Sequence, residues 1–551
     1  MKLHRLLIAA LALVTLSAKA QLGVPKEKFT RADSLRGYIS PLRSCYDIDY
    51  YHLDVKFDIE NKFISGSTLF KFTTVEDFTK LQFDLFANLK VEKVVYKGKE
   101  LPYTREYNAV FVTFPKTITK GSKDEFRVYY SGNPTIAKRA PWDGGIVYAK
   151  DSIGNPWVAT ACQGMGASVW WPNKDQQYDE VDSALISISV PTGLQDCSNG
   201  RLRKVTDLGN GYTRFDWFVA NPINNYDIEA NIGKYTHFSD TYDGEKGKLT
   251  LDYWVLAYNL EKAKKQFGAN VKDMISAFEH WFGPYPFYED GYKLIEAPHL
   301  GMEHQSGTAY GNHFGNGYLG RDLSGTGWGL KWDFIVVHES GHEWFGNNIT
   351  SKDLGDMWIH ESFTNYSESL FIEQRYGKQA GQEYVHGTRF LIANDRPIVG
   401  PYNVNKEGSS DMYYKGGNLM NMVRTVIDDD EKWRSILRGL NKTFYHKTVT
   451  YDDIVDYISD KAGKNLKPVF DQYLHYKNLP ILDFMFMHGK LNCRWIADAK
   501  DFDMPVKVRI KGGEYQFIKP TTRFQPVDLK DATKENIEVD TFNYYIGVVV
   551  D

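Results

Sequence analysis

The stretch VVHESGHEWFG, residues 336–346, decides which fold and chemistry this chain of 551 residues can have. It is typical of a helix, and His338 and His342 stand four residues apart in it. That spacing puts both imidazoles on one helical face, with Cβ atoms about 5–6 Å apart. Two histidines so placed suit two ligands of a tetrahedral zinc ion. Glu339, one step round the helix, can reach a water at that ion without binding the metal.

A third ligand has to come from elsewhere, because a catalytic zinc ion has three protein ligands and one open position. The segment GDMWIHESFTNYSESLFIEQRYG, residues 355–377, has a helical period. Its apolar stripe is Ile359, Phe363, Tyr366 and Leu370. Glu361 lies on another face, and Gly377 is a suitable helix stop. A pair of helices, the first ending near Gly346 and Asn347, would bring Glu361 to the histidines.

The rest of the chain divides into three regions by its hydrophobic period. Short alternating strands run from about residue 50 to 238, and strands return after 479. Between them, NLEKAKKQFGANVKDMISAFEHWFG, residues 259–283, opens a mainly helical region with one apolar stripe: Phe267, Val271, Met274 and Phe278. We predict a multidomain α+β protein with an N-terminal all-β domain (21–238), a mainly helical catalytic domain (239–479) and a small C-terminal β-sandwich (480–551).

Composition excludes several other classes of protein. Hydrophobic residues make up 42% of the chain and charged residues 25%, which is typical of a globular protein. The 66 basic and 70 acidic residues leave a net charge of −4 and no basic stripe, which argues against a nucleic-acid partner. Four scattered cysteines permit one or two disulfide bridges in an exported protein: Cys45, Cys162, Cys197 and Cys493.

The first twenty residues predict export. MKLHRLLIAALALVTLSAKA, residues 1–20, has a basic start, a short apolar run and an A-x-A site before Gln21, as a cleaved signal peptide does. The run is shorter than the ~20 residues a bilayer span needs, and no other apolar stretch approaches that length. We expect no membrane span in the mature protein and a periplasmic, secreted or cell-surface location.

The metal-ligand spacing resembles a known signature. His338-Glu339-x-x-His342, followed after 18 residues by Glu361, resembles that of the gluzincin metallopeptidases, and specifically of the aminopeptidase N-like family. Four further segments are similar to that family: residues 157–175, 221–235, 300–311 and 412–420. The resemblance implies a saddle-shaped N-terminal β domain, a thermolysin-like catalytic domain and hydrolysis of peptides.

The resemblance also implies roles for the residues at the metal. One zinc ion per chain would be held by His338, His342 and Glu361, with Glu339 as the general base that becomes the general acid. Tyr413, in the Tyr-x-Lys-Gly register, would donate a hydrogen bond to the oxyanion of the tetrahedral intermediate. Tyr414 is the alternative donor.

A second set of implied roles concerns the substrate. Glu303 would bind the free α-ammonium of a peptide, because a buried carboxylate is costly until a cationic group arrives. The backbone of Gly301 and Met302 would line the substrate as a strand does. Gln163 is a further candidate for contact with the amine or with a side chain. His304 departs from the family, where asparagine is usual, and a charged imidazole there would weaken amine binding at low pH.

Three other residues have roles that the sequence leaves open. His360 precedes the third ligand where the family commonly has asparagine, and we expect it to be solvated or to support the ligands rather than bind as a fourth. Glu368 is either a support for the metal site or an ordinary surface carboxylate. Gly341, inside a helix at a cost of about 1 kcal/mol relative to alanine, would clear room for a neighbour.

The leading hypothesis is a zinc-dependent aminopeptidase acting on peptides with a free amino terminus. A thermolysin-like endopeptidase with the same ligands is the alternative enzyme. An inactive peptide-binding scaffold is a third hypothesis, disfavoured because all three ligands and the base are present. The oligomeric state and the side chain preferred at the first substrate position stay open at this point.

Overall fold

The computed structural model describes residues 28–487 and 490–551. The predicted signal peptide, residues 1–20, lies outside these described residues. Within them, no helix has both the length and the apolar character needed to cross a bilayer.

The N-terminal region is built from three β-sheets. In spatial order, the eight-stranded sheet consists of Arg201–Asp207, Tyr212–Val219, Ser183–Pro191, Tyr46–Asp58, Phe63–Thr74, Lys123–Gly132, Leu89–Tyr96 and Lys99–Leu101. A three-stranded sheet contains Phe78–Asp84, Ala109–Ile118 and Tyr103–Glu106. A four-stranded sheet contains Gln195–Cys197, Asn231–Gly233, Pro156–Ala161 and Gly145–Lys150. Aromatic and branched side chains from these strands form one core.

A mixed five-stranded sheet begins the catalytic region. Its spatial order is Tyr235–Gly244, Gly247–Leu256, Tyr292–Glu296, Thr308–Tyr310 and Gly301–Met302. The first of these strands crosses the boundary predicted between residues 238 and 239, because the alternating pattern continues through the hairpin that pairs it with the second. Gly301–Met302 is an edge strand, paired antiparallel with Thr308–Tyr310 alone.

Two short helices, Arg31–Gly37 and Pro41–Ser44, precede the first sheet of the N-terminal region. Helices also make up most of the remainder of the catalytic region. The others are Leu260–Phe282, Phe334–Gly341, Trp358–Tyr376, Lys378–Gly387, Tyr414–Ile427, Asp430–Thr443, Tyr451–Ala462 and Lys467–Leu474. In Leu260–Phe282 the predicted apolar stripe is fully buried. We call Phe334–Gly341 the histidine helix and Trp358–Tyr376 the glutamate helix.

The last residues form two small sheets that pack on the helices. One contains Gln525–Pro526, Lys490–Ile496, Ile481–Met487 and Gly547–Val550, and the other Gln516–Ile518, Val506–Ile510 and Ile537–Val539. Phe484 and Trp495 belong to the same apolar core as Phe278 of the catalytic region. These strands therefore share the core of the helices rather than burying one of their own.

All four cysteines are buried, unpaired thiols. Cys197 lies in a strand of the N-terminal region and Cys493 in a C-terminal strand, whereas Cys45 and Cys162 each follow the end of an element. The bridges that the even count permits are therefore absent.

Candidate metal centre and active site

The histidine helix is followed directly by a turn at the metal site. The Asp333 side chain accepts a hydrogen bond from the backbone of Val336 at its start. Regular α-helix stops at Gly341, and a π turn, Glu343–Asn347, follows. Gly346 in this turn has φ 134°, which favours glycine. The helix is thus shorter than the predicted end near Gly346, because the chain turns back toward His342.

The glutamate helix runs beside the histidine helix and ends at Gly377, as predicted. The two approach closely at Gly341, where an added Cβ would lie 2.6 Å from the Ser367 hydroxyl and 3.1 Å from the Thr364 methyl. The missing side chain at Gly341 therefore lets the helices pack at the distance that the metal site requires.

Three side chains from these helices converge as metal ligands would. The Glu361 Oε2 atom lies 3.7 Å from His338 Nε2 and 3.5 Å from His342 Nε2. Two ligand atoms, each about 2.0–2.1 Å from a tetrahedral zinc ion, lie about 3.3–3.4 Å apart. The Glu361 Oε2 atom is buried and has no hydrogen-bond partner. This donor set of two imidazoles and one carboxylate fits zinc.

The outer nitrogen of each imidazole is held by a neighbour. His338 Nδ1 lies 2.7 Å from Glu368 Oε1. His342 Nδ1 lies 3.0 Å from the Phe345 carbonyl oxygen and 3.1 Å from the Thr364 hydroxyl. Such partners place the proton on Nδ1 and leave Nε2 free for a metal. Glu368 is buried and supports the site; it is not a surface carboxylate.

Glu361 and Glu339 differ in their electrostatic environments. Burial alone would raise the pKa of Glu361, but the two histidines outweigh it and lower that pKa. Burial dominates at Glu339, with the carboxylates of Glu303 and Glu361 adding to it, and raises its pKa to about 7. A carboxyl with a pKa near neutrality can both accept and return a proton.

Glu339 also stands within 4.8 Å of the histidine nitrogens. It differs from Glu361 in what it faces: an added Cβ at Gly301 would lie 2.8 Å from Glu339 Oε1. Glu339 therefore lies between the metal ligands and the Gly301–Met302 edge strand, where a substrate backbone could pair. That position suits a base, whereas the unpartnered Oε2 of Glu361 suits a ligand.

Tyr413 stands on the opposite side of the site. Its ring centroid is 6.1 Å from that of His338, and the helix Tyr414–Ile427 begins just after it. Burial and the carboxylates of Glu361, Glu407 and Glu303 raise its pKa well above 10, so the phenol stays a donor. Among acidic side chains, Tyr414 instead has Glu368 as its main electrostatic neighbour. The structure thus places Tyr413, rather than Tyr414, at the metal ligands.

Glu303 is held by two side chains of the N-terminal region. Gln163 Nε2 donates to Glu303 Oε1 at 2.5 Å, and the Tyr226 hydroxyl donates to the same oxygen at 3.2 Å. Gln163 also reaches Glu361 Oε1 at 3.4 Å. Asn347 donates to the Glu303 backbone carbonyl at 2.8 Å. A buried carboxylate is therefore fixed next to the metal ligands across the contact between the two regions.

The two histidines that depart from the family pattern point away from this site. His304 is fully buried, with Nδ1 2.7 Å from Glu229 Oε2. Because His304 contacts Glu229 rather than the proposed amine position, the structure offers no direct contact for the predicted effect of His304 on amine binding. His360 is also buried, and its Nε2 accepts the backbone N–H of Ser351 at 2.8 Å. Burial lowers the pKa of His360 to about 3, which keeps it neutral, and its hydrogen bond holds the backbone of Ser351 at the end of the short strand Ile349–Ser351 rather than the metal.

Sequence reasoning did not single out two residues of this site. Tyr226 lies within the segment 221–235 that carried the family resemblance, but nothing in its pattern pointed to Glu303. Glu407 lies in an irregular segment before Tyr413 without a motif, and its approach to Gly164, the neighbour of Gln163, places it near the site.

A family model matches part of the catalytic region. The peptidase family M1 domain matches residues 329–473, a range that contains both histidines, Glu361 and Tyr413. This match, together with the similarity to aminopeptidases, supports the predicted resemblance to the aminopeptidase N-like gluzincin family. The resemblance implies zinc at the site.

Two relatives match most of the length of this chain. It is 21% identical over 462 residues to probable aminopeptidase 1 of Sulfurisphaera tokodaii, which covers 79% of this chain and 55% of that protein. It is 22% identical over 469 residues to leukotriene A-4 hydrolase of Xenopus laevis, which covers 79% of this chain and 72% of that protein. The chain spans about half the length of the first curated relatives it matches.

A solved structure confirms the predicted fold class of this chain. The M1 zinc metallopeptidase from Deinococcus radiodurans is similar with a TM-score of 0.66 at 18% identity, covering 79% of this chain and 95% of that one. The shared architecture is α+β, with an N-terminal β-rich domain followed by a helical catalytic region.

Proposed function

We propose that this protein is a zinc-dependent aminopeptidase that removes the first residue from peptides with a free amino terminus. One zinc ion per chain would be held by His338, His342 and Glu361. The observation that carries the proposal is the buried carboxylate of Glu303, fixed by two donors beside the metal ligands. A buried carboxylate without a cationic partner is costly, so an arriving α-ammonium is favoured at this position.

The arrangement assigns a task to each side chain. Zinc, when bound, supplies a Lewis acid that polarises the scissile carbonyl and makes a water more acidic. Glu339, which lies between the metal ligands and the edge strand, takes the proton of the attacking water and delivers it to the leaving amine. Tyr413 donates a hydrogen bond to the oxygen that becomes negative. Glu303 binds the α-ammonium and so sets its distance to the bond that breaks.

The edge strand orients the peptide. The free edge of Gly301–Met302 faces away from Thr308–Tyr310 and carries backbone groups that an extended substrate can pair with. Strand pairing there and ammonium binding at the adjacent Glu303 fix the direction of the peptide in the site.

The two other hypotheses fit these contacts less well. An endopeptidase has no use for a buried carboxylate at the end of its substrate strand, yet Gln163 and Tyr226 both hold Glu303 there. In an inactive scaffold, a free Nε2 on each histidine and a buried, unpartnered Glu361 oxygen between them would cost stability without serving a metal.

Acetylation of the substrate tests the proposal. Zinc-loaded protein is given matched peptides that differ only by an N-acetyl group, and product is measured by mass spectrometry. We expect cleavage of the free peptide and none of the acetylated one, because acetylation removes the charge that Glu303 binds. Equal cleavage of both would establish the endopeptidase instead.

A base variant controls for a contaminating peptidase. Glu339→Gln should bind zinc as the parent does but lose about 10²–10⁴-fold in kcat. Full activity in this variant would show that Glu339 is not the base.

We also propose that the protein is exported to the periplasm, the cell surface or the medium. The support is the signal-like pattern of residues 1–20. Mass spectrometry of the amino terminus after expression in a bacterial host is expected to find a chain that begins at Gln21. An uncleaved amino terminus in the cytoplasmic fraction would contradict this.

A further inference from the structure

Glu407 lies against the backbone next to Gln163, the residue whose side chain donates to Glu303. Asn405 Nδ2 donates to the Gly164 carbonyl oxygen at 2.8 Å, which fastens this segment to Gln163 and Gly164. An added Cβ at Gly164 would lie 3.2 Å from Glu407 Oε1. Gly164 thus keeps the approach to this carboxylate open, and its φ of +69° also favours glycine.

The backbone on the other side of Glu407 is equally fixed. Arg396 Nη2 donates to the Gly408 carbonyl oxygen at 2.9 Å. The Gly408 backbone is packed so tightly on Ile398 that an added Cβ would collide with the Ile398 carbonyl. A carboxylate on a segment held at both ends is pre-organised for a ligand.

Among the described residues, no cationic group pairs with Glu407. Across residues 28–487 and 490–551, no hydrogen bond or ion pair reaches its carboxylate, which is only partly exposed. Its electrostatic neighbours are the carboxylates of Glu361 and Glu303, and burial together with these charges raises its pKa to about 7. The site therefore contains a third carboxylate that lacks a partner.

We propose that Glu407 selects peptides whose first side chain is cationic, lysine or arginine, and this rests on the proposed aminopeptidase function. When the α-ammonium is bound at Glu303, the side chain of the first residue starts from the carbon atom that carries this ammonium. Glu407 lies near that position because it packs against Gly164, the neighbour of Gln163. A long basic side chain can therefore reach Glu407 while the α-ammonium stays on Glu303. An ion pair made in this partly buried cleft favours a basic first residue over a neutral one of equal length.

The test compares substrates that differ in charge but not in length. Aminoacyl amides of lysine and norleucine carry a fluorogenic leaving group, and kcat/KM is measured for zinc-loaded wild type, Glu407→Gln and Glu407→Asp. Wild type is expected to prefer lysine by about tenfold or more. Glu407→Gln should bring the ratio close to one with little change for norleucine, and Glu407→Asp should retain a preference. Glu100→Gln, an exposed change of equal charge, should leave the ratio as in wild type.

Two results would overturn the proposal. If Glu407→Gln lowers kcat/KM equally for lysine and norleucine, Glu407 acts on the α-ammonium or on the fold, not on the side chain. If wild type does not discriminate between the two, Glu407 has no role in selection. In both cases the aminopeptidase activity itself stands.

Binding without turnover separates this proposal from the proposed function. Titration calorimetry measures Lys-Ala and norleucyl-Ala dipeptides on zinc-loaded Glu339→Gln protein, with and without Glu407→Gln. A preference for Lys-Ala that Glu407→Gln abolishes supports the role of Glu407 even if no amide is cleaved. Equal binding of the two dipeptides refutes it.

Discussion

Replacing Glu368 by glutamine should weaken zinc binding, although Glu368 is not itself one of the proposed metal ligands. Its Oε1 lies 2.7 Å from His338 Nδ1 and also accepts from Asn365 at 3.0 Å, while Oε2 accepts the Tyr384 hydroxyl at 2.7 Å. Glutamine preserves the shape but removes the charge. A hydrogen bond to a charged group is worth about 1.5–3 kcal/mol against about 0.5–1.5 kcal/mol for a neutral one. The expected loss is therefore about 1–2 kcal/mol.

This loss corresponds to zinc affinity about 5–30-fold weaker, which overlaps the 10–100-fold range typical of such partners. Competition with a chromophoric chelator measures it without any substrate. Tyr384→Phe is the matched control, since it removes a bond to the far oxygen and leaves the carboxylate on His338; we expect less than about a threefold change. Zinc affinity unchanged in Glu368→Gln, or lowered equally in Tyr384→Phe, would refute the reasoning.

Three further predictions concern other contacts. Tyr413→Phe should lower kcat by about 10²–10³-fold, since one oxyanion donor is worth about 2.7–4 kcal/mol, while zinc content measured by elemental analysis stays at the wild-type level. Tyr226→Phe should raise KM several-fold with little change in kcat, because its hydroxyl orients Glu303 for binding; a fall in kcat alone would contradict this. Burial raises the pKa of Glu180 from 4.5 to about 8, so the folded chain holds a proton that the unfolded chain releases, and stability falls as pH rises from about 5 to 8. Glu180→Gln should flatten that fall in urea unfolding at pH 5 and pH 8, and an unchanged slope would argue against it.

The sequence predicted those parts of the site that depend on one helix at a time. Histidines four residues apart in a helix share one face of it. A buried helix that carries Glu361 has to pack against another element, and the histidine helix was the expected one. The exact end of the histidine helix was missed, because the turn at Phe345 and Gly346 depends on the bond that the Phe345 carbonyl makes with His342.

Contacts between distant segments could not be predicted in this way. Gln163 and Glu303 are 140 residues apart, and the bond between them exists only because the N-terminal sheets pack against the catalytic region. The same packing turns His304 toward Glu229, away from the substrate position where its sequence neighbours suggested it.

By itself, then, the sequence predicted the fold class and the residues proposed as metal ligands and base, because helical period and spacing are local properties of the chain. The tertiary structure alone decided that Glu368 contacts His338, that Tyr226 holds Glu303, and that Glu407 lies beside Gly164 near Gln163. Each of these depends on which elements meet in space. Such contacts are set by the burial of whole faces in a common core, which no single segment specifies.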